Sequence, residues 1–158
     1  MIKPRNAGAC FKGLVIKEPW IGKILRGEKT WEMRKTACHY RGRIALICKG
    51  SGRVVGTAEV VDSLPRIKTR RAYAEAERFH GVPPEQQREA FANGYTTPWV
   101  LANVWPLRRL VPYEHPPGAV IWVRLDQAVV KAILAQDGRR DLAKRVELRR
   151  QDWSVSSI

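Results

Sequence analysis

Leu14-Val15-Ile16-Lys17-Glu18-Pro19-Trp20, followed by Gly27-Glu28-Lys29-Thr30-Trp31-Glu32-Met33-Arg34, is the stretch whose reading decides the fold. Gly13 to Ile16 is a short apolar strand candidate. Glu18-Pro19 then opens a helix, because proline suits the first helical position and a carboxylate suits the positive helix end. Trp20, Ile21, Ile24 and Leu25 recur at helical spacing and mark an apolar face. Lys23 and Arg26 fall in the last turn, and Gly27 is placed to close the helix in a left-handed conformation. A strand from Thr30 to Arg34 should follow. Its alternation puts Trp31 and Met33 on one face and Glu32 and Arg34 on the other.

Working outward, Arg43 to Cys48 and Val54 to Val61 are β-branched runs joined by Gly50-Ser51-Gly52, which reads as a hairpin. Gly56 and Ala58 are small residues on one face of its second strand and predict the close approach of another element. Arg70 to His80 and Pro84 to Ala92 read as helices separated by Gly81-Val82-Pro83, an excursion between strands. Pro98 to Trp105 and Ala119 to Leu125 read as further strands, linked by a proline-bearing loop over residues 112–118. Asp126 is placed to cap a helix running to about Gln136 and ended by Gly138. A second, basic helix is expected from Arg140 to Arg149, and Met1 to Cys10 reads as a loose arm. About five strands with short helices inserted, and no regular strand–helix alternation, predict an α+β domain built on a small barrel.

The chain has 158 residues, enough for one domain with a real core. Its 29 Lys and Arg outnumber 15 Asp and Glu, a formal +14. The excess is concentrated: Lys12 to Arg53 holds 11 cations against Glu18, Glu28 and Glu32, and Arg66 to Arg71 adds four more. Such a surplus draws polyanions, so nucleic acid is the expected partner. Cys10, Cys38 and Cys48 have no C-x-x-C spacing, so neither a disulfide framework nor a metal site is expected. Cys48, in an apolar run, is expected to be a buried thiol, and the Cys38-His39 pair a loop. No apolar run is long enough for a membrane span, and no signal-peptide segment is evident. A reduced, cytoplasmic setting is the default expectation, and no cofactor motif is visible.

The charged residues after the first helix carry the chemistry. Glu32 and Arg34 share a strand face, and Lys29 at the helix–strand junction is free to converge on them. A carboxylate accepts from the exocyclic amine of a base such as cytosine or adenine. Lys29 and Arg34 suit phosphate, and arginine also stacks on a base. Trp20, Trp31 and Trp99 are candidates for an aromatic wall, whereas Trp122 reads as core. Lys17 and Glu18, just before the helix, are candidates for the same pocket. Arg41 and Arg43 extend the basic surface. His80 reads as an ordinary helix-ending residue and His115 as a loop residue.

The same run resembles the ASCH domain family, a relative of the PUA RNA-binding fold. That family carries a G-x-K-x-x-E-x-R signature after its first helix, matched here by Gly27, Lys29, Glu32 and Arg34. Arg41-Gly42-Arg43-Ile44-Ala45-Leu46-Ile47 resembles the family's next strand, and Val55-Gly56-Thr57-Ala58-Glu59-Val60 the one after. Pro116-Pro117-Gly118-Ala119-Val120-Ile121-Trp122-Val123 resembles its closing strand. The resemblance implies a PUA-like barrel over 11–126; the N-terminal arm over 1–10 and a basic, helical extension over 127–158 lie outside it.

The resemblance implies two functional classes. One is a module that binds nucleic acid, RNA before DNA, with a pocket for a base, modified base or nucleoside. The other is a small hydrolase, either an N4-acetylcytidine amidohydrolase or a ribonuclease, with Lys29 and Glu32 as the catalytic pair. In the amidohydrolases a Lys–Thr pair and a more distant Glu form the catalytic set. The lysine position is Lys29 here, but the threonine position is Glu32. The distant Glu has no motif position in this chain, and Glu75 and Glu77 are candidates only. Oligomeric state is not legible in the sequence.

Overall fold

Six strands and five helices follow one another over residues 11–137, the part of the chain that the computed structural model describes. The expected arm over 1–10 and the second basic helix from Arg140 lie outside the described residues. The strands are β1 (Lys12–Ile16), β2 (Trp31–Arg34), β3 (Gly42–Cys48), β4 (Arg53–Ser63), β5 (Thr97–Pro112) and β6 (Trp122–Arg124). They form one mixed sheet in the order β2-β5-β4-β3-β1-β6, curled into a half-barrel with β2 and β6 at its edges. β1 runs parallel to β3, and every other pairing is antiparallel.

Helix α1 (Trp20–Leu25) follows β1. The excursion between β4 and β5 carries α2 (Arg70–Glu75), α3 (Glu77–His80) and α4 (Pro84–Ala92). The helix expected as one piece from Arg70 to His80 is thus broken at Ala76, which ends α2 and begins α3. The break lets the chain turn so that His80 reaches the interior. A fifth helix, α5, occupies residues 127–137, and the Asp126 carboxylate accepts from the Val129 N–H at its start, as its capping role requires.

β1 and β3 are apolar on both faces because both faces are covered. Val15, Ala45 and Ile47 join Val54, Leu107, Val111, Val123 and the α5 residues Val129 and Ile133 in one core layer. Leu14, Ile16, Ile44 and Leu46 join Ile21 and Ile24 of α1, with Val60, Trp99 and Leu101, in the other. Gly56 marks the close approach its size predicts: a Cβ there would stand 2.7 Å from Leu25 Cδ2 and 2.8 Å from the Trp105 carbonyl oxygen.

Two boundaries and the burial of one residue differ from the reading above. β5 runs past Trp105 to Pro112, because shifts of register opposite Gly56 absorb Pro106 without ending the ladder. The closing strand is only three residues long, since pairing with β1 begins at Trp122. Cys48 is half-buried rather than buried, at the end of β3, and burial still pushes its thiol up. Among the described residues no helix is long and apolar enough to cross a membrane.

Candidate functional site

The end of α1 sets the geometry. Gly27 takes φ +78, its N–H donates to the Ile24 carbonyl, and the Glu28 N–H donates to the Lys23 carbonyl. This Schellman closure reverses the chain sharply and delivers Lys29 into the interior, 2% exposed. The Lys29 ammonium donates to the His80 carbonyl oxygen at 2.6 Å. It lies 4.0 Å from Glu32 Oε2 and 5.4 Å from the centre of the Trp20 ring. Burial pulls its pKa down to about 8; the Glu32 carboxylate opposes that shift, while Lys23 and Arg34 add to it.

Glu32 and Arg34 share a face of β2, as alternation requires. Arg34 Nε stands 3.0 Å from Glu32 Oε1, close enough for an ion pair but outside hydrogen-bonding alignment. The same guanidinium donates to the Val15 carbonyl oxygen at 2.8 Å, tying β2 to β1 across the curl of the sheet. It also lies over the Trp99 ring, 5.6 Å from its centre. Glu32 therefore holds a buried carboxylate between two cations.

This wall faces a cavity of about 420 Å³ between the β1–β2 side of the sheet and the helical excursion. Glu32, Arg34, Trp20 and Tyr73 line it, and the exposed Lys17 and Lys49 stand at its mouth. Its size falls within the range of small-molecule clefts. The arrangement offers a flat ligand the Glu32 carboxylate as a buried acceptor, the Arg34 guanidinium as a fixed cationic donor, and the Trp20 ring. Among the described residues no cluster of three or more His, Cys, Asp or Glu side chains could hold a metal.

The structure thus brings Lys17, Trp20, Glu32 and Arg34 to one cavity, with Lys29 one side chain behind the wall. The other candidates lie elsewhere. Glu18 is exposed, and its carboxylate accepts from the Gly22 N–H of α1. Trp31 sits on the opposite face of β2 and stacks on Phe79, ring centres 4.5 Å apart. Trp99 is core: its indole N–H donates to the Thr36 carbonyl and its ring stacks on Trp122. Arg41 donates to the Cys38 and Tyr40 carbonyls, and Arg43 pairs with Asp137 of α5. Glu75 pairs with Arg71 at the surface, and Glu77 accepts from Gln87, so neither joins Lys29.

Two residues of the site carry no motif that points to them. His80 is fully buried; its Nδ1 accepts from the Val82 N–H, so Nε2 carries the proton to the Tyr73 carbonyl, 2.6 Å away. Burial lowers its pKa, against the opposing effect of that backbone contact. The neutral ring fixes the carbonyl that receives Lys29. Tyr73 stacks on His80 and lines the cavity. The only sequence signal for either is that the excursion must cover an open side of the sheet.

The family model of the ASCH domain matches residues 14–109, which include the signature, the cavity wall and the whole excursion. The chain belongs to the ASCH domain family. The crystal structure of ASCH from Zymomonas mobilis is similar to this ASCH domain with a TM-score of 0.61 and 16% identity, over 80% of this chain and 94% of that one. Two single-residue mutants of the same Zymomonas mobilis protein match at 16% and 17% identity, with TM-scores of 0.60 and 0.59. Each covers 80% of this chain and at least 95% of its own. No curated protein matches the chain. At such identities the likeness is one of fold.

Proposed function

We propose that this ASCH domain binds single-stranded nucleic acid, RNA in preference to DNA, and takes one base or modified base into the cavity. The observation that carries the reading is the buried Glu32 carboxylate, held between Lys29 and Arg34 in the wall of a cavity of about 420 Å³. A carboxylate so placed accepts from an exocyclic amine, and the Arg34 guanidinium 3.0 Å away holds it in place. Lys17 and Lys49 at the mouth meet phosphate, and the +14 of the chain supplies the wider field. Contact with about five phosphates of a single strand gives log K a slope of about −3.5 against log salt. Fluorescence anisotropy with labelled oligoribonucleotides reads this directly. Glu32→Gln is expected to keep the salt slope and lose the preference among bases. A flat salt response overturns the electrostatic half of the reading, and unchanged base preference overturns the cavity half.

A hydrolase remains the second reading, favoured by one observation: the Lys29 amine is buried 4.0 Å from the Glu32 carboxylate, where burial draws its pKa down toward neutrality. A neutral amine beside a carboxylate is competent for general-base work. Incubating the protein with N4-acetylcytidine and with labelled RNA tests it. Turnover that disappears in Lys29→Met supports the enzyme; no turnover, with RNA binding retained, favours the module.

A further inference from the structure

Tyr73 carries an unspent hydroxyl. The residue is 1% exposed, lines the same cavity as Glu32 and Arg34, and its phenolic oxygen has no hydrogen-bond partner. Everything else about the side chain is fixed. His80 stacks on the ring at 4.4 Å, Phe91 meets it edge-on at 5.8 Å, and the backbone carbonyl of Tyr73 receives the His80 ring N–H. The residue belongs to α2, whose N-cap Thr69 accepts from the Ala72 N–H, so the backbone beneath it is anchored as well.

A buried hydroxyl without a partner costs stability, and phenylalanine would fill the same space without that cost. The hydroxyl is closed off from the cavity that the residue lines, so a partner reaches it only with a ligand that moves its cover. Burial pushes the phenol up to about 12, so it stays protonated and able to donate through the physiological range. Met33 packs in the same small cluster as Tyr73 and also lines the cavity. Its unbranched thioether chain moves easily between rotamers, the kind of movement that opening a path to the hydroxyl requires.

We propose that the Tyr73 hydroxyl is a specificity-determining hydrogen-bond donor of the cavity, satisfied by a carbonyl oxygen or ring nitrogen of the bound base. The assignment rests on the base-binding reading above and extends it. Glu32 demands a donor on the ligand, and Tyr73 demands an acceptor on the same ring. The favoured ligand is therefore a heterocycle that carries an exocyclic amine together with an acceptor. A ring with donors alone gives Tyr73 no partner, and a purely apolar ring gives neither group one.

The test compares the wild-type chain, Tyr73→Phe and Glu32→Gln by titration with cytidine, adenosine, guanosine and uridine, alongside thermal melts without ligand. Tyr73→Phe is expected to melt at or above the wild-type temperature, and to bind the preferred nucleoside about tenfold more weakly with a smaller spread among the four. A Tm below wild type overturns the assignment, because the hydroxyl would then be serving the fold. Equal binding by wild type and Tyr73→Phe, with weakened binding by Glu32→Gln, overturns the role of Tyr73 and leaves the base-binding reading standing. Failure of the wild type to bind any of the four nucleosides at millimolar concentration overturns both.

Discussion

The two faces of β1 and β3 differ in what covers them. One face meets α5 in a closed apolar layer of Val15, Ala45, Ile47 and Ile133, with the Arg43–Asp137 pair at its margin. The other begins as a similar layer under α1, but toward β2 it gives way to Lys29, Glu32 and Arg34 around a cavity. The same strands therefore serve stability on one side and chemistry on the other. A dry apolar layer tolerates no polar intrusion, whereas the charged side retains three ionisable groups away from water. Such a cluster is weak evidence for stability, since apolar replacements of similar shape often do as well. Its retention beside a cavity is what a site demands.

Breaking the apolar face should have the largest effect. Ile133→Asp places a carboxylate in a fully buried position of α5 and is expected to cost about 4 kcal/mol or more, read as a collapse of the urea midpoint. A midpoint within error of wild type would mean that α5 is not part of the cooperative core.

The charged face should break differently. Glu32→Gln leaves the buried Lys29 and the half-buried Arg34 without their common partner, at an expected cost of about 3 kcal/mol. Adding Lys29→Met should restore part of that loss. A double-mutant cycle on urea midpoints measures the coupling, and simple additivity would dissolve the cluster into independent contacts.

The smallest effect is a pH dependence confined to the charged face. Lys29 releases its proton near pH 8 in the folded chain but near its usual 10.5 when unfolded. Between these values the unfolded state holds more protons, so stability rises with pH, by about 2 kcal/mol between pH 8 and pH 10. Above pH 10 the raised Tyr73 reverses the trend, because the unfolded phenol ionises before the folded one. Denaturation of Lys29→Met should lack the rise.

Much of this contrast is legible in the sequence, and the division has a physical cause. Gly27 and the periodicity of Ile21 and Ile24 locate α1 and its end, because helix termination is a local matter. The alternation of β2 places Glu32 and Arg34 together for the same reason. Gly56 announces a close approach, although only the structure names Leu25 and Trp105 as the neighbours. Trp20, on an apolar helix face, reads as core more readily than Trp31 or Trp99, yet it is the indole that lines the cavity; local pattern cannot say which ring is overlain by Phe79 or Trp122. Tyr73 and His80 were invisible as site residues because they arrive from an excursion whose docking depends on contacts far apart in the chain. Arg43 looked like part of the basic surface, yet its partner Asp137 stands on α5, 94 positions away in sequence.

β2 carries the charged wall, and it stands at the rim of the sheet with β5 as its one strand neighbour, Trp31 opposite Val100 through Arg34 opposite Thr97. A segment with one backbone ladder, held otherwise by side chains such as Arg34 on Val15 and Trp31 on Phe79, opens without disturbing the interior ladders of β3 and β4. The amides of β2 should therefore trade hydrogen for deuterium faster than those of β3, and a bound molecule bridging Glu32 to the excursion would act as the second seam. Occupancy of this protein would then be visible as slowed isotope uptake in four residues, whatever the identity of the guest.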